Sequence, residues 1–268
     1  MTSAVERSVS YAVLVAAACF AVLPLLVVLA TALQPDRIGS DAGLTLANFR
    51  AAWVEGGFST YMRTSVIVSV CVVVLATALA TLAGFAFGTM RFPGADVLFY
   101  VFLLGLMVPS EAVIVPLYFD LRSLQLTDSY VALVLPQVAQ SLAFGTFWMR
   151  AYFRSTSREV VEAARLDGAS TWQVLWLILL PMGRPAVLTM TLLVFMWTWN
   201  EFLVPLVMVT DENLRTAPLG LANFQGQYTS GTALLAAGAV LVALPVVLVY
   251  LCTQRYFIRG MIDGAVKG

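Results

Sequence analysis

The chain has 268 residues, of which 60% are hydrophobic and only 11% are charged, a balance that excludes an ordinary water-soluble globule. Fifteen basic and fifteen acidic residues cancel to a formal net charge of zero, so no global field recruits nucleic acid. There is no histidine, and the one lysine is Lys267; His-based catalysis, His metal sites and a GxxxxGK[ST] phosphate loop are therefore excluded, so the chain cannot bind ATP through such a loop.

Six apolar stretches, at residues 11–33, 64–88, 97–119, 130–149, 186–209 and 233–257, meet or approach the ~20 residues a spanning helix needs. The first carries Ala30-Thr31-Ala32, which resembles a signal cleavage site. Its apolar run of about 20 residues exceeds the h-region of a signal peptide, so it reads as an uncleaved anchor. Residues 34–63 mix charge, glycine and aromatics, with a short amphipathic piece expected near 46–53. In the second stretch Ala76, Ala80, Gly84 and Gly88 recur every fourth residue, a stripe that lets helix backbones approach closely in lipid. Pro24, Pro109, Pro116, Pro136, Pro205 and Pro245 fall within five of the six stretches and free backbone carbonyls that neighbours must satisfy. Cys19, Cys71 and Cys252 lie far apart inside apolar runs and read as small buried hydrophobes, with no disulfide and no metal expected.

Residues 150–184 form the one long loop on the basic side. Thr156-Ser157-Arg158-Glu159 is a possible capping box, with Thr156 as cap, and Gly168 is placed to end that helix in a left-handed conformation. Ser170-Thr171-Trp172-Gln173 offers a second box, opening a helix that runs to Pro181. The expected product is a helix-turn-helix at a membrane face. Residues 173–180 carry no basic side chain to meet phosphates, which argues against DNA binding; on pattern alone an interfacial amphipathic helix is the competing reading.

With the N-terminus inside, Arg7, Arg91, Arg150, Arg154, Arg158, Arg165, Arg184, Arg255, Arg259 and Lys267 fall on the cytoplasmic side. Arg37, Arg50, Arg63, Arg122 and Arg215 fall outside. Ten against five places both termini in the cytoplasm. Within the spans Glu111 and Glu201 are the ionisable residues that cost most to insert. Counted along straight helices both lie roughly 21 to 23 Å above the cytoplasmic ends. With Asn200 they either line one cavity, where Tyr118, Trp197 and Trp199 offer stacking faces, or bond to neighbouring helices or a partner subunit.

Glu162-Ala163-Ala164, three residues, Gly168, nine residues, Ile178, one residue and Leu180-Pro181 resemble in full the EAA loop of permeases of binding-protein-dependent ATP-binding cassette importers. Val108-Pro109-Ser110-Glu111, Pro116-Leu117-Tyr118, the run 124–130, Leu135-Pro136, Trp199-Asn200-Glu201-Phe202 and the tail from Gln254 are similar to the sugar-importer branch, typified by the maltose-type inner-membrane permeases. The resemblance covers about residue 34 to the end. It implies an all-α polytopic permease domain of six spanning helices, occupying residues 1–268, in the inner or plasma membrane of a prokaryote. It further implies a second permease subunit, two ATPase domains that hold ATP and Mg, and an extracytoplasmic solute-binding protein. Glu162, Ala163, Ala164, Asp167 and Gly168 would then dock on the ATPase. Glu162 has a competing option, a weak pair with Arg165 or Arg158 on its own helix. An ion-coupled secondary transporter is the alternative class; it would show an internal repeat around a mid-membrane site, and none is evident.

Overall fold

The computed structural model describes residues 4–35, 43–54, 56–227 and 231–265, and every regular element among them is helical. Arg37 and the closing Val266, Lys267 and Gly268 lie outside the described residues, as do the side chains of Arg158, Arg255 and Arg259. In chain order the helices are α1 (Ala4–Ala32), α2 (Ala47–Val54), α3 (Phe58–Thr89), α4 (Ala95–Met107), α5 (Ser110–Ser123), α6 (Tyr130–Ser155), α7 (Arg158–Leu166), α8 (Thr171–Met182), α9 (Arg184–Asn200), α10 (Leu203–Met208), α11 (Ala217–Gln227) and α12 (Thr232–Ala265).

Four helices, α1, α3, α6 and α12, are long and apolar enough to cross a bilayer unaided. Two more candidates are bent pairs, α4 with α5 at 99° and α8 with α9 at 79°. The expected third span is thus not one straight helix. Pro109 has no N–H and pushes Val108 into extended geometry (φ −81°, ψ 118°), which ends α4 one residue earlier. The fifth span also stops sooner than expected, at Asn200, where Glu201 turns extended (φ −64°, ψ 124°) before the short α10. By contrast Pro24, Pro116, Pro136 and Pro245 all sit inside continuous helices.

The chain divides into two units, Met1–Ser59 with Gly220–Pro245, and Thr60–Leu219 with Val246–Gly268. In the first, Asn48 is buried and its Nδ2 donates to Ala32 O (2.8 Å) and Gln34 O (2.7 Å), satisfying carbonyls that the end of α1 leaves open. Ala32, Ala236 and Ala237 form a small core flanked by Phe49 and Val240. The rest of α1 exposes its apolar side chains along its length.

The core of the second unit gathers Val68, Val72, Ala76 and Ala80 of α3, Leu133, Met149 and Phe153 of α6, Val174, Leu175 and Leu179 of α8, and Met190 and Val194 of α9. The small-residue stripe makes this possible. A Cβ on Gly84 would lie 2.5 Å from Met149 Cβ and 2.9 Å from Arg150 N, and one on Gly88 would lie 2.8 Å from Phe153 Cβ. Gly145 of α6 answers from the other side, where a Cβ would stand 2.6 Å from Ala80 Cβ. Backbone approach of this kind is how helices hold together where lipid offers no hydrophobic driving force. The cysteines depart from expectation: Cys19, Cys71 and Cys252 are all exposed. They lie on helix faces turned from the protein core, where an apolar environment asks for no protein burial.

Candidate functional site: a helical hairpin and a polar cavity

The hairpin begins one residue later than expected. Thr156 Oγ1 donates to Tyr152 O (3.2 Å), finishing α6, and Ser157 is the cap of α7, its Oγ accepting from Glu159 N (3.2 Å). Both residues carry a hydroxyl, and the chain uses the first to close one helix and the second to open the next. At the other end Gly168 has φ +85° and donates to Arg165 O (3.0 Å), while Ala169 N donates to Ala164 O (2.9 Å). That pair of bonds is the Schellman arrangement, and its left-handed position favours glycine. The second box forms as expected: Ser170 Oγ accepts from Gln173 N (3.3 Å) and Gln173 Oε1 accepts from Ser170 N (2.8 Å).

Helix α8 is not uniform. Val174–Leu179 wind as a π-helix, which widens the turn just ahead of Pro181, whose ring would otherwise meet the carbonyl four residues back. Tyr152 OH donates to Leu179 O (2.9 Å) and Trp148 Nε1 donates to Ala186 O (3.0 Å), so two aromatic side chains of α6 pin α8 and the start of α9. Gly183, at the bend, admits the Tyr152 ring where a Cβ would lie 2.5 Å from it.

The hairpin has two faces. Ala164 is buried in the core with Val174, Leu175 and Leu179. Glu162, Ala163, Asp167 and Gly168 are exposed, beside Leu166 at 89% exposure. Ala164 therefore packs the hairpin together instead of joining the outward face, since two residues along a helix turn about 200°. Glu162 forms no ion pair with Arg165, whereas Arg150 pairs with Asp96 (4.0 Å) and Arg215 with Glu212 (3.1 Å).

Of the residues expected on a solute path, Trp197, Asn200 and Glu201 line one cavity of about 570 Å³, together with Leu106, Gln137, Gln140, Ser141, Phe144, Leu193, Met196 and Thr198. Trp197 meets Phe144 edge to face at 4.8 Å. Glu111, Tyr118 and Trp199 do not line it. Glu111 lies beyond the break, exposed in the first turn of α5, so a straight-helix count cannot fix its height. Tyr118 packs beside Phe119 on α5, and Trp199 is buried against Phe195. Glu201 Oε1 accepts from Val204 N (3.0 Å), capping α10 from inside the cavity wall. Gln137, Gln140 and Ser141 were not singled out from sequence; their signal is a run of neutral polar residues at i, i+3 and i+4 within an apolar stretch.

A further polar clasp joins the connections at 124–129 and 209–211. Asp128, at φ +52°, accepts from Thr210 N (2.6 Å), Thr210 Oγ1 (2.8 Å) and Asp211 N (2.9 Å), and its own N donates to Met208 O (3.1 Å). The Asp211 N–H is the largest influence holding its carboxyl below the usual carboxylate range; burial opposes it, and both Thr210 donors add to it.

Residues 39–263 match the family described as binding-protein-dependent transport system inner membrane component. The chain is 33% identical to the arabinooligosaccharides transport system permease protein AraQ of Halalkalibacterium halodurans, over 94% of this chain and 93% of that one. It is 31% identical to the trehalose transport system permease protein SugB of Mycobacterium tuberculosis, over 93% of each. Its fold is similar to that of a chain in the crystal structure of a bacterial ABC transporter involved in the import of the acidic polysaccharide alginate, with a TM-score of 0.78 and 23% identity over 96% of this chain and 99% of that one. With residues 39–263 inside the family match, the chain belongs to the inner membrane components of binding-protein-dependent transport systems.

Proposed function

We propose that this chain is a permease subunit of an ATP-driven sugar importer. The observation that carries the reading is family membership across residues 39–263, with relatives named for arabinooligosaccharide and trehalose transport. The chain works with a second permease, two ATPase domains and an extracytoplasmic solute-binding protein. Its termini face the cytoplasm, in keeping with the ten-to-five distribution of basic residues.

In this reading the exposed face of α7 enters a groove on the ATPase. Glu162 makes a charge-assisted contact there, Ala163 keeps the helix narrow, and Asp167 and Gly168 present the turn. Ala164 acts from behind, holding α7 on α8 so that force on one moves the other. ATP and Mg sit on the ATPase, not on this chain. Nucleotide-driven closure rocks the two permeases between inward-open and outward-open states, to the extent that the ATP-bound state favours one of them. The test is co-purification of the tagged chain in mild detergent with mass spectrometry of what remains bound. Recovery of a second permease and an ATPase is the expected result. A clean homo-oligomer, under conditions where a control importer stays intact, overturns the reading.

A further inference from the structure

Helix α9 presents two different faces. Leu193, Met196, Trp197 and Asn200 line the polar cavity, while Val187 and Thr191, roughly half a turn away around the helix, line a separate recess of about 350 Å³. The facing wall is α3, from Val74 through Ala78 to Leu82, and Trp176 and Leu180 of α8 also line it. Those eight residues of α3 advance about 12 Å, most of the depth of one leaflet in a hydrocarbon core about 30 Å thick. Apart from three threonines the lining is apolar, and the hydroxyls of Thr77 and Thr191 bond to each other at 3.4 Å. Val74, Leu82 and Trp176 are exposed, so the recess opens outward.

Arg184 adds charge to this slot. It is exposed, stands four residues after Leu180 and three before Val187, and no carboxylate among the described residues pairs with it. Residues at i and i+3 share one side of a helix, so the cation and Val187 lie on the same side of α9. An apolar slot with a cation beside it complements a molecule with an anionic head and a hydrocarbon tail. Because α3 and α9 touch at Thr77 and Thr191, a helix 10–12 Å across does not enter between them, whereas a single acyl chain lies along the recess. Anionic lipids collect in the cytoplasmic leaflet, where basic pockets between spanning helices hold their headgroups. We infer that this recess holds an acyl chain of an anionic phospholipid whose phosphate meets Arg184. The site goes beyond the importer reading and asks of it only that Arg184 face the cytoplasm, the side to which the distribution of basic residues assigns it.

The test is native mass spectrometry of the tagged chain, with whatever partners it retains in mild detergent, titrated with phosphatidylglycerol, with phosphatidylcholine of the same acyl chains, and with inorganic phosphate. Phosphatidylglycerol should bind at concentrations where phosphatidylcholine does not, and inorganic phosphate should not displace it. Arg184→Gln should weaken that binding about fivefold, as expected for one basic contact. Ala78→Phe, which fills the slot from an exposed position, should abolish it, and Arg50→Gln on the opposite side of the membrane should leave it unchanged. Equal binding of phosphatidylcholine overturns the inference, as does wild-type affinity in either Arg184→Gln or Ala78→Phe. Displacement by inorganic phosphate overturns it in favour of a soluble phosphate site. A photo-crosslinker placed at Ala78 that captures a protein chain in place of lipid overturns it in favour of a subunit contact. The same spectra score the importer reading separately, through the presence or absence of a second permease and an ATPase.

Discussion

Gly168 is the residue whose replacement separates the shape of the hairpin from the contacts it makes. Its φ is +85°, and a Cβ built there meets nothing within 4 Å. Any cost of substitution in the isolated chain is therefore conformational and not steric. For an ordinary L-residue the left-handed conformation costs about 1–2 kcal/mol, with a β-branched side chain at or above the upper end. Two bonds depend on that geometry, Gly168 N to Arg165 O (3.0 Å) and Ala169 N to Ala164 O (2.9 Å). A shift of 1–2 kcal/mol changes the population of the closed turn by a factor of about 5–30. Gly168→Val should therefore leave the chain inserted and the ATPase active while the solute carried per ATP hydrolysed falls by about that factor. Gly168→Asn, which tolerates the left-handed region, should retain most of the coupling. The assay is parallel measurement of ATP hydrolysis and solute uptake in proteoliposomes. A wild-type coupling ratio in Gly168→Val refutes the argument. If Asn is as damaging as Val, then open space at that face and not backbone geometry is what the partner requires.

Three further outcomes follow from the packing and the clasps. Gly84→Ala places a Cβ 2.5 Å from Met149 Cβ and should cost about 1–3 kcal/mol as an overpacked contact, read as a lowered melting temperature in detergent. Gly105→Ala, whose Cβ would sit 3.6 Å from Ala143 Cβ, should leave it within error. Asp128→Asn should speed amide exchange at Thr210 and Asp211 about twofold to fivefold, since an exposed charge-assisted bond is worth roughly 0.5–1 kcal/mol. Because the folded carboxyl of Asp128 is depressed, the wild-type clasp is fully present above the unfolded value of 3.8 and is lost as pH falls through the lower folded value. Unchanged exchange across that range contradicts the clasp. Tyr152→Phe removes the bond to Leu179 O (2.9 Å) and should destabilise the α8 turn by about 1 kcal/mol, seen as faster exchange at 179–183 with the rest of the chain unaffected.

What could be read from residues alone was set by how local the cause is. Gly168 and the Ser170–Gln173 box depend on four or five consecutive residues, and both form where the pattern puts them. The first cap missed by one residue because Thr156 and Ser157 carry the same chemical group, and only the end of α6 decides which hydroxyl faces which helix. Pro109 was visible, but the 99° turn it permits was not, because the stretches on either side are equally apolar. The same break separates Glu111 from the cavity that Glu201 lines, so of the two options open to it from sequence, sharing that cavity is the one that does not hold. Charge drew the eye to Glu111, while the neutral Gln137, whose unpaired oxygen the cavity wall holds, gives a weaker signal. The interior face of Ala164 was implicit in the helical period, yet its neighbours on α8 come from a π-turn that sequence periodicity does not announce.

The central claim is that ATP hydrolysed on a partner drives solute through this chain, and it is tested most directly in proteoliposomes that hold the purified complex and its solute-binding protein. With ion gradients collapsed by ionophore, ATP on the ATPase side should drive concentrative sugar uptake, and a non-hydrolysable analogue should not. Uptake that needs an ion gradient and ignores ATP would contradict the claim and make the chain a secondary carrier.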